Sequence, residues 1–118
     1  MVAVTTLRKR SDFVHLREQG ARVATQAFTL QWCMKVGEAG VHVGFTASTK
    51  AIGNAVRRNR AKRRLRACFD KVVRLNKDVS APEGLWLNWV AKAAVLELDF
   101  RYLEKDMRKA LQSIGIRC

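Results

Sequence analysis

The chain has 118 residues, of which 48% are hydrophobic, so it can bury one core and we expect one domain over residues 1–118. Its 23 Lys and Arg residues outnumber 10 Asp and Glu residues, and the net charge of +13 indicates a polyanionic partner, either nucleic acid or an acidic membrane surface. The composition excludes a disulfide framework, a zinc motif and a membrane span, because Cys33, Cys68 and Cys118 are scattered and no run approaches the roughly 20 apolar residues of a span. We therefore predict a cytoplasmic protein with reduced thiols.

The first half of the chain predicts one helix and two strands. A helix is expected over residues 11–19, with Ser11 as its N-cap. Alternation of apolar and polar residues over 26–36 predicts a strand whose buried face carries Phe28, Leu30, Trp32, Met34 and Val36. A turn at 38–40 leads to a second strand that buries Val41, Val43, Phe45 and Ala47. The two strands are expected to pair as an antiparallel hairpin.

The second half predicts a long helix, a strand and a closing helix. Asn54 is expected to cap a helix over residues 55–75, whose apolar stripe is formed by Ala61, Leu65, Cys68, Phe69, Val72 and Leu75. The almost continuously apolar run 85–91 is typical of a buried strand. Asp99 is expected to cap the last helix, which buries Phe100, Leu103, Met107, Leu111 and Ile114 and ends at Gly115. This order favours an α+β fold, a mostly antiparallel sheet with helices packed on it.

One segment, 57–66, has the composition of a nucleic-acid-binding surface, since seven of its ten residues are cationic. A run of charge is usually a solvated face or a disordered tail. Here Ala61 and Leu65 continue the apolar stripe of the helix, which predicts a segment docked on the core. Like charges at helical spacing repel one another, a cost that a bound polyanion would offset. The candidate contacts are Arg57, Arg58, Asn59, Arg60, Lys62, Arg63, Arg64 and Arg66.

The chemistry of this segment narrows the class of partner. Arginine is preferred to lysine, and its planar guanidinium suits two-point contacts to phosphate and stacking on bases. Asn59 could bond a base edge, a ribose hydroxyl or a phosphate, and a local bond to the backbone is as good an interpretation. A membrane-surface helix would carry bulkier apolar residues than Ala61 and Leu65. Nucleic acid is therefore favoured, although charge alone does not separate RNA from DNA.

Several motifs resemble the signature of the bacterial ribonuclease P protein family. They are Val-Gly-Phe-Thr-Ala-Ser at 43–48, Gly-Asn-Ala-Val at 53–56 and Arg-Asn-Arg-Ala-Lys-Arg-Arg-Leu-Arg at 58–66. The segment Leu-Arg-Lys-Arg-Ser-Asp-Phe at 7–13 and the closing helix fit the same family. The resemblance covers most of the chain, and Gly-Asn-Ala-Val leading into Arg-Asn-Arg is its specific part.

The resemblance implies both a fold and a function. The fold is an α-β-β-β-α-β-α sandwich, ribosomal protein S5 domain 2-like, in which the basic helix makes a left-handed crossover between parallel strands. The residue pattern alone would suggest a right-handed crossover. The function is that of the protein subunit of a ribonucleoprotein that removes the 5′ leader of precursor tRNA. Ribonuclease P RNA and precursor tRNA are then the partners, without DNA or membrane. The RNA and its Mg²⁺ perform the hydrolysis, and the protein binds no cofactor of its own.

The resemblance also implies a cleft for the leader between the first helix and the sheet. The matching positions are Phe13, Arg17, Phe28, Gln31 and Lys50, and Phe13 is equally compatible with the core. Arg17 and Gln31 stand where the family often has aromatic residues, with Trp32 expected on the opposite face of its strand. Relative to the family pattern, the loop 48–53 carries one extra residue. The family's role for the residue at this place therefore does not transfer directly to Lys50. Leader binding is therefore expected to rely less on stacking and more on charge.

The residues offer no evident catalytic group of their own. His15 and His42 lie on separate predicted elements, and no HExxH motif or nucleophile with an adjacent base is present. This agrees with catalysis by a partner RNA. Three other hypotheses remain open: a ribosomal-type RNA-binding protein with no role in cleavage, a self-sufficient nuclease and a DNA-binding protein.

Overall fold

A computed structural model describes residues 2–118 of the chain. Its strands are β1 Val4–Thr6, β2 Ala21–Ala24, β3 Phe28–Met34, β4 Val41–Thr46 and β5 Leu85–Ala91. Its helices are α1 Arg10–Gln19, α2 Thr49–Ile52, α3 Ala55–Phe69 and α4 Phe100–Ser113. The expected order α-β-β-β-α-β-α is confirmed, and the short β1 and α2 are added to it.

The five strands form one mixed sheet in the order β1-β4-β5-β3-β2. β4 pairs in parallel with β1 and β5, whereas β3 pairs antiparallel with β5 and β2. The expected hairpin between strands 26–36 and 41–47 is therefore wrong, because β5 lies between them. The physical reason is the burial of β5 on both faces, which makes it the central strand of the sheet. α3 is the crossover that joins the parallel strands β4 and β5.

The sheet has two different faces. Leu85, Leu87 and Trp89 alternate on the face that forms the main core beneath α3 and α4. Trp86 points to the other face, where it forms a smaller cluster with Leu7 and Leu16 beneath α1. The basic helix and the first helix therefore lie on opposite faces of the sheet.

The predicted helix caps are confirmed at two of three places. The Asn54 side chain accepts from the N–H of Arg57, and Asp99 accepts from the N–H of Arg101, which lowers the pKa of Asp99. Ser11 is not an N-cap, because α1 already begins at Arg10. In the part of the chain from residue 2 onwards, no helix combines the length and the apolar character needed to cross a membrane.

Three residues predicted to be buried are exposed. Met34 and Val36 are 43% and 98% exposed, because β3 ends at Met34 and the chain then turns away from the sheet. Leu75 is 60% exposed because α3 continues into a π-helical turn over Asp70–Arg74, whose wider winding shifts the apolar stripe.

Candidate nucleic-acid interface

The basic segment is part of a helix that is docked on the main core. The side chains of Ala61, Leu65 and Cys68 are fully buried, and Phe69 is 1% exposed. Burial of these four residues along α3 turns the remaining arc of the helix towards solvent. The prediction of a docked basic helix is therefore confirmed.

The cations of segment 57–66 have no acidic partner among residues 2–118. Over residues 2–118 the ion pairs involve His42, Lys71, Arg74, Arg101 and Arg108, and none of them reaches this segment. Asn59, Arg60 and Arg63 are exposed and Lys62 is partly exposed, and no hydrogen bond joins these four side chains to the described residues. These side chains are free to bind an anion.

Two arginines at the start of α3 hold the loop that precedes it. Arg57 donates from Nε to the carbonyl of Ile52 at 2.9 Å. Arg58 donates from Nη1 to the carbonyl of Gly53 at 2.8 Å and to Oγ1 of Thr49 at 3.2 Å. Each guanidinium keeps further N–H groups for another ligand. Arg57 and Arg58 therefore shape the entrance to α3 as well as adding to its charge.

Arg64 and Arg66 make contacts at the other end of the segment. Arg64 is partly buried, donates from Nη2 to the carbonyl of Leu98, and has a buried Nε without a partner among residues 2–118. It therefore fastens α3 to the chain that enters α4. The guanidinium of Arg66 lies over the ring of Phe45, 5.3 Å from the centroid.

The outer side of α3 carries an open depression rather than a flat surface. Its lining consists of Val56, Asn59, Lys62, Arg63 and Arg66. Val56 is 76% exposed, so an apolar contact is available between the cations. The depression therefore offers cations, which suit a phosphate backbone, and an apolar side chain, which suits the face of an unstacked base.

On the opposite face of the sheet, Phe13 of α1 lies directly on β4. A side chain at Gly44 would meet the Phe13 ring, since its Cβ would be 2.8 Å from Cζ and closer still to Cε1. Phe13 also packs against the cluster of Leu7, Leu16 and Trp86 while remaining partly exposed. Phe13 thus contributes to the small core, and its partly exposed ring lies on the face of the sheet where the leader cleft is predicted.

A row of polar side chains crosses the sheet beside Phe13. Thr46 donates to Oδ1 of Asn88 at 3.1 Å, and Nδ2 of Asn88 donates to Oε1 of Gln31 at 3.1 Å. Asn88 and Gln31 are 2% and 7% exposed, and these bonds satisfy part of their buried hydrogen-bonding groups. Sequence reasoning missed Asn88, although a lone amide within the apolar run 85–91 was a visible signal.

Phe28 does not line the cleft, contrary to the expectation from the resemblance. It is fully buried in the main core, where its ring packs edge-to-face against Trp89 with centroids 5.1 Å apart. Successive strand residues alternate between faces, so Phe28 and Gln31, three positions apart, lie on opposite sides of β3. Trp32 shares the face of Phe28, as predicted.

The structure brings only part of the predicted cleft together. Arg17 is exposed in the last turn of α1, and its carbonyl accepts from Nη2 of Arg22 at 2.6 Å. Arg22 is the register partner of Gln31 and so lies on the same face of the sheet, where the leader cleft is predicted. Sequence reasoning missed this cation. Lys50 is exposed on α2, and no described contact joins it to Phe13 or Gln31.

The two histidines lie beside the same tryptophan. The Trp86 ring is 6.3 Å from the His15 ring and 5.5 Å from the His42 ring, centroid to centroid. The indole N–H of Trp86 donates to Oε2 of Glu38 at 2.9 Å. Considering residues 2–118, no group of three or more His, Cys, Asp and Glu side chains is placed to hold a metal ion.

All three cysteines are free thiols in the structure. Burial raises the pKa of Cys68 to about 12, and the nearby carboxylate of Glu104 adds to this effect. Burial also raises the pKa of Cys33 and Cys118, which are partly exposed. A raised pKa keeps a thiol protonated and poorly nucleophilic.

These features define a small, basic α+β protein with one helix that presents unpaired cations to solvent. Comparison with known proteins assigns it to a family. The model of the Ribonuclease P family matches residues 1–115. The ribonuclease P protein component of Ruegeria pomeroyi is 36% identical, with 94% of this chain and 86% of that protein covered. That of Nitratiruptor is 32% identical, with 99% and 98% covered.

Solved structures agree with this assignment at the level of the fold. The ribonuclease P protein of Thermotoga maritima matches with a TM-score of 0.74 at 24% identity, covering 94% of this chain and 98% of that one. The Staphylococcus aureus protein gives a TM-score of 0.74 at 24% identity, with 93% and 94% covered. The chain belongs to the ribonuclease P protein family. Membership implies that it is part of a tRNA-processing endoribonuclease and a partner of ribonuclease P RNA.

Proposed function

We propose that α3 binds ribonuclease P RNA, that the cleft beside α1 binds the 5′ leader of precursor tRNA, and that the RNA performs the hydrolysis in the cytoplasm. The observation that carries this proposal is the docked basic helix, whose cations have no acidic partner among residues 2–118. A helix that is already docked presents its cations without first having to fold, so binding loses less backbone conformational entropy.

The position of the two surfaces supports a division of labour. α3 covers one face of the sheet and α1 covers the other, so two RNA segments can contact the protein without competing for the same cations. In this arrangement the catalytic RNA holds the protein through α3 while the leader crosses the opposite face. The protein then positions the substrate and screens phosphate repulsion close to the site of cleavage.

The cleft favours a leader held by charge and hydrogen bonds. The Gln31 side chain accepts a hydrogen bond from Asn88, and neither side chain offers a stacking surface. Phe13 is the aromatic residue beside this polar row, and Arg17 and Arg22 add charge at its edge. The affinity for a leader bound in this way is expected to depend little on the base sequence of the leader, because phosphate contacts do not distinguish bases.

Hydrolysis is assigned to the RNA together with its Mg²⁺, which supplies the metal-assisted activation of water. The described residues provide no three-ligand cluster to hold that ion on the protein. Within this proposal the chain's own residues bind and orient. Arg60, Lys62 and Arg63 contact the RNA, whereas Arg57, Arg58 and Arg64 keep α3 and its entrance in place.

Reconstitution tests the proposal. The purified chain is combined with ribonuclease P RNA, and cleavage of precursor tRNA is followed at low Mg²⁺ with substrates of long and one-nucleotide leader. The proposal predicts faster cleavage with the protein, a larger gain for the long leader, and no cleavage by the protein without RNA. Metal-dependent cleavage by RNA-free protein would establish a self-sufficient nuclease instead. Binding without any gain in rate would leave a structural RNA-binding protein.

A further inference from the structure

A crevice of about 200 Å³ opens between the edge of the sheet and the end of α3 together with the π-helical turn that follows it. Its floor is formed by β1 and β4 and its wall by one side of the helix. The lining residues are Val4, Thr6, Val43, Phe45, Arg66, Phe69, Asp70 and Arg74. The volume is several times the roughly 30 Å³ of a water molecule, and the apolar floor makes a planar, partly apolar ligand the better occupant.

The aromatic part of the crevice offers a stacking surface. Phe45 is partly exposed and is held edge-to-face by Phe69, with centroids 6.1 Å apart and an interplanar angle of 73°. Arg66 covers the Phe45 ring, and its own side chain is exposed. Aromatic rings and guanidinium planes are the two groups on which proteins stack unpaired bases. A base that enters the crevice can lie against Phe45 when it displaces the exposed Arg66 side chain, because the 5.3 Å between the Arg66 guanidinium and the ring centroid leaves no room for a base between them.

The polar part of the crevice selects among bases. Asp70 accepts from Nε of Arg74 at 2.8 Å through Oδ1, and no hydrogen bond from the described residues reaches Oδ2. A carboxylate only accepts hydrogen bonds. Guanine presents two neighbouring donors, N1–H and the N2 amino group, on one edge, whereas uracil presents one N–H between two carbonyl oxygens. Asp70 therefore favours guanine and disfavours uracil.

We infer that this crevice binds one unpaired guanine of ribonuclease P RNA, with the base on Phe45 and its donor edge towards Asp70. The inference rests on the proposed function of α3. Arg66 lines both this crevice and the depression on the outer side of the helix, so a strand that follows the cations of α3 reaches the crevice without a break. The leader cleft lies on the opposite face of the sheet, which assigns the guanine to the catalytic RNA and not to precursor tRNA.

Base selection is tested with the full chain and two labelled pentaribonucleotides, rUUGUU and rUUUUU, by fluorescence anisotropy at one salt concentration. Wild-type protein is expected to bind rUUGUU about tenfold more tightly. Phe45→Leu and Asp70→Asn are expected to bring the ratio of the two affinities close to one. The ratio cancels the effect of net charge, which Asp70→Asn changes. Asp106→Asn makes the same chemical change on α4 and is expected to keep the preference.

Equal affinity of wild-type protein for the two oligonucleotides would overturn the inference, as would a preference for guanine that survives both crevice variants. Thermal unfolding of each variant confirms that it is folded, and Phe45→Leu keeps an apolar side chain in place for that reason. Failure of the proposed function would look different. In that case replacement of Arg60, Lys62 and Arg63 by alanine would leave the affinity for rUUUUU unchanged.

The source of the guanine is tested in the holoenzyme. Thr6 lies at the rim of the crevice and is exposed, so p-benzoylphenylalanine at this position reports what enters it. Irradiation of holoenzyme with bound precursor tRNA is expected to cross-link ribonuclease P RNA at an unpaired guanine. The same label at Ser113 is the control and is expected to give no cross-link at that nucleotide. A cross-link from residue 6 to precursor tRNA, or to paired RNA only, would contradict the assignment.

Discussion

The ring of Phe13 fills the space that a side chain at residue 44 would occupy. An added Cβ at Gly44 would lie 2.8 Å from Cζ of Phe13 and 3.2 Å from Oδ1 of Asn88. Glycine is therefore required at this position by contact between α1 and β4. The same contact sets the height of α1 above the sheet, and with it the width of the proposed leader cleft.

Gly44→Ala is expected to lower the free energy of unfolding by about 1–3 kcal/mol, because the new methyl group must displace Phe13. Phe13→Ala removes the obstacle, so the double variant should lose less stability than the sum of the two single variants. Urea denaturation of the four proteins measures this coupling. Additive losses would show that residue 44 and Phe13 do not touch.

Phe28→Leu and Gln31→Ala should separate stability from leader binding. Phe28 is enclosed in the main core, so Phe28→Leu is expected to lower stability by roughly 1–2 kcal/mol while the affinity ratio for long-leader and short-leader precursor tRNA stays within about twofold. Gln31→Ala is expected to change that ratio, because it opens the polar row beside Phe13. Filter binding of both substrates by holoenzyme gives the ratios. If the affinity ratio changed in Phe28→Leu and stayed constant in Gln31→Ala, Phe28 and not Gln31 would contact the leader, and this account would be wrong.

Cys68 should make stability depend on pH in alkaline solution. Its pKa is raised to about 12 in the folded protein by burial and by Glu104, so folding favours the protonated thiol. The resulting stabilisation is fully present below the ordinary thiol pKa and is lost as pH rises from there towards the folded pKa. Each pH unit in that window should remove up to about 1.4 kcal/mol. Cys68→Ala should lose less stability than wild-type protein between pH 9 and pH 10. If the free energies of unfolding of the two proteins fell in parallel between pH 9 and pH 10, this account would be contradicted.

Helices α1, α3 and α4 could be predicted from the sequence because their signals are local. Asn54 and Asp99 cap the helices that follow them, and the apolar spacing of Ala61 and Leu65 fixes which side of α3 is buried. The order of the strands could not be predicted in this way. A turn at 38–40 is compatible with a hairpin, and only the burial of β5 on both faces places that strand between β3 and β4.

The site shows the same contrast between local and distant information. The cations of segment 57–66 are adjacent in sequence and were all identified. Asn88 joins Thr46 and Gln31 across 42 and 57 residues. Its amide within the apolar run 85–91 marks it as unusual, but no local pattern predicts which distant side chains it contacts. The assignment of Phe28 to the predicted cleft is wrong, and the alternation of strand residues alone predicts that Phe28 and Gln31 lie on opposite faces. Arg57, Arg58 and Arg64 were identified by charge, and only the structure reveals their contacts with the backbone of the protein.

The salt dependence of RNA binding tests the central claim most directly. Arg60, Lys62 and Arg63 are replaced together by alanine, and affinity for ribonuclease P RNA is measured over a range of salt concentrations. Lys77, Lys105 and Lys109, exposed cations outside the basic segment, are replaced together as a control of equal charge change. The account predicts that the plot of log affinity against log salt becomes flatter by about 2–3 for the α3 variant, since each lost phosphate contact removes roughly 0.7–0.9, while the control keeps the wild-type slope. Equal slopes for the two variants would contradict it.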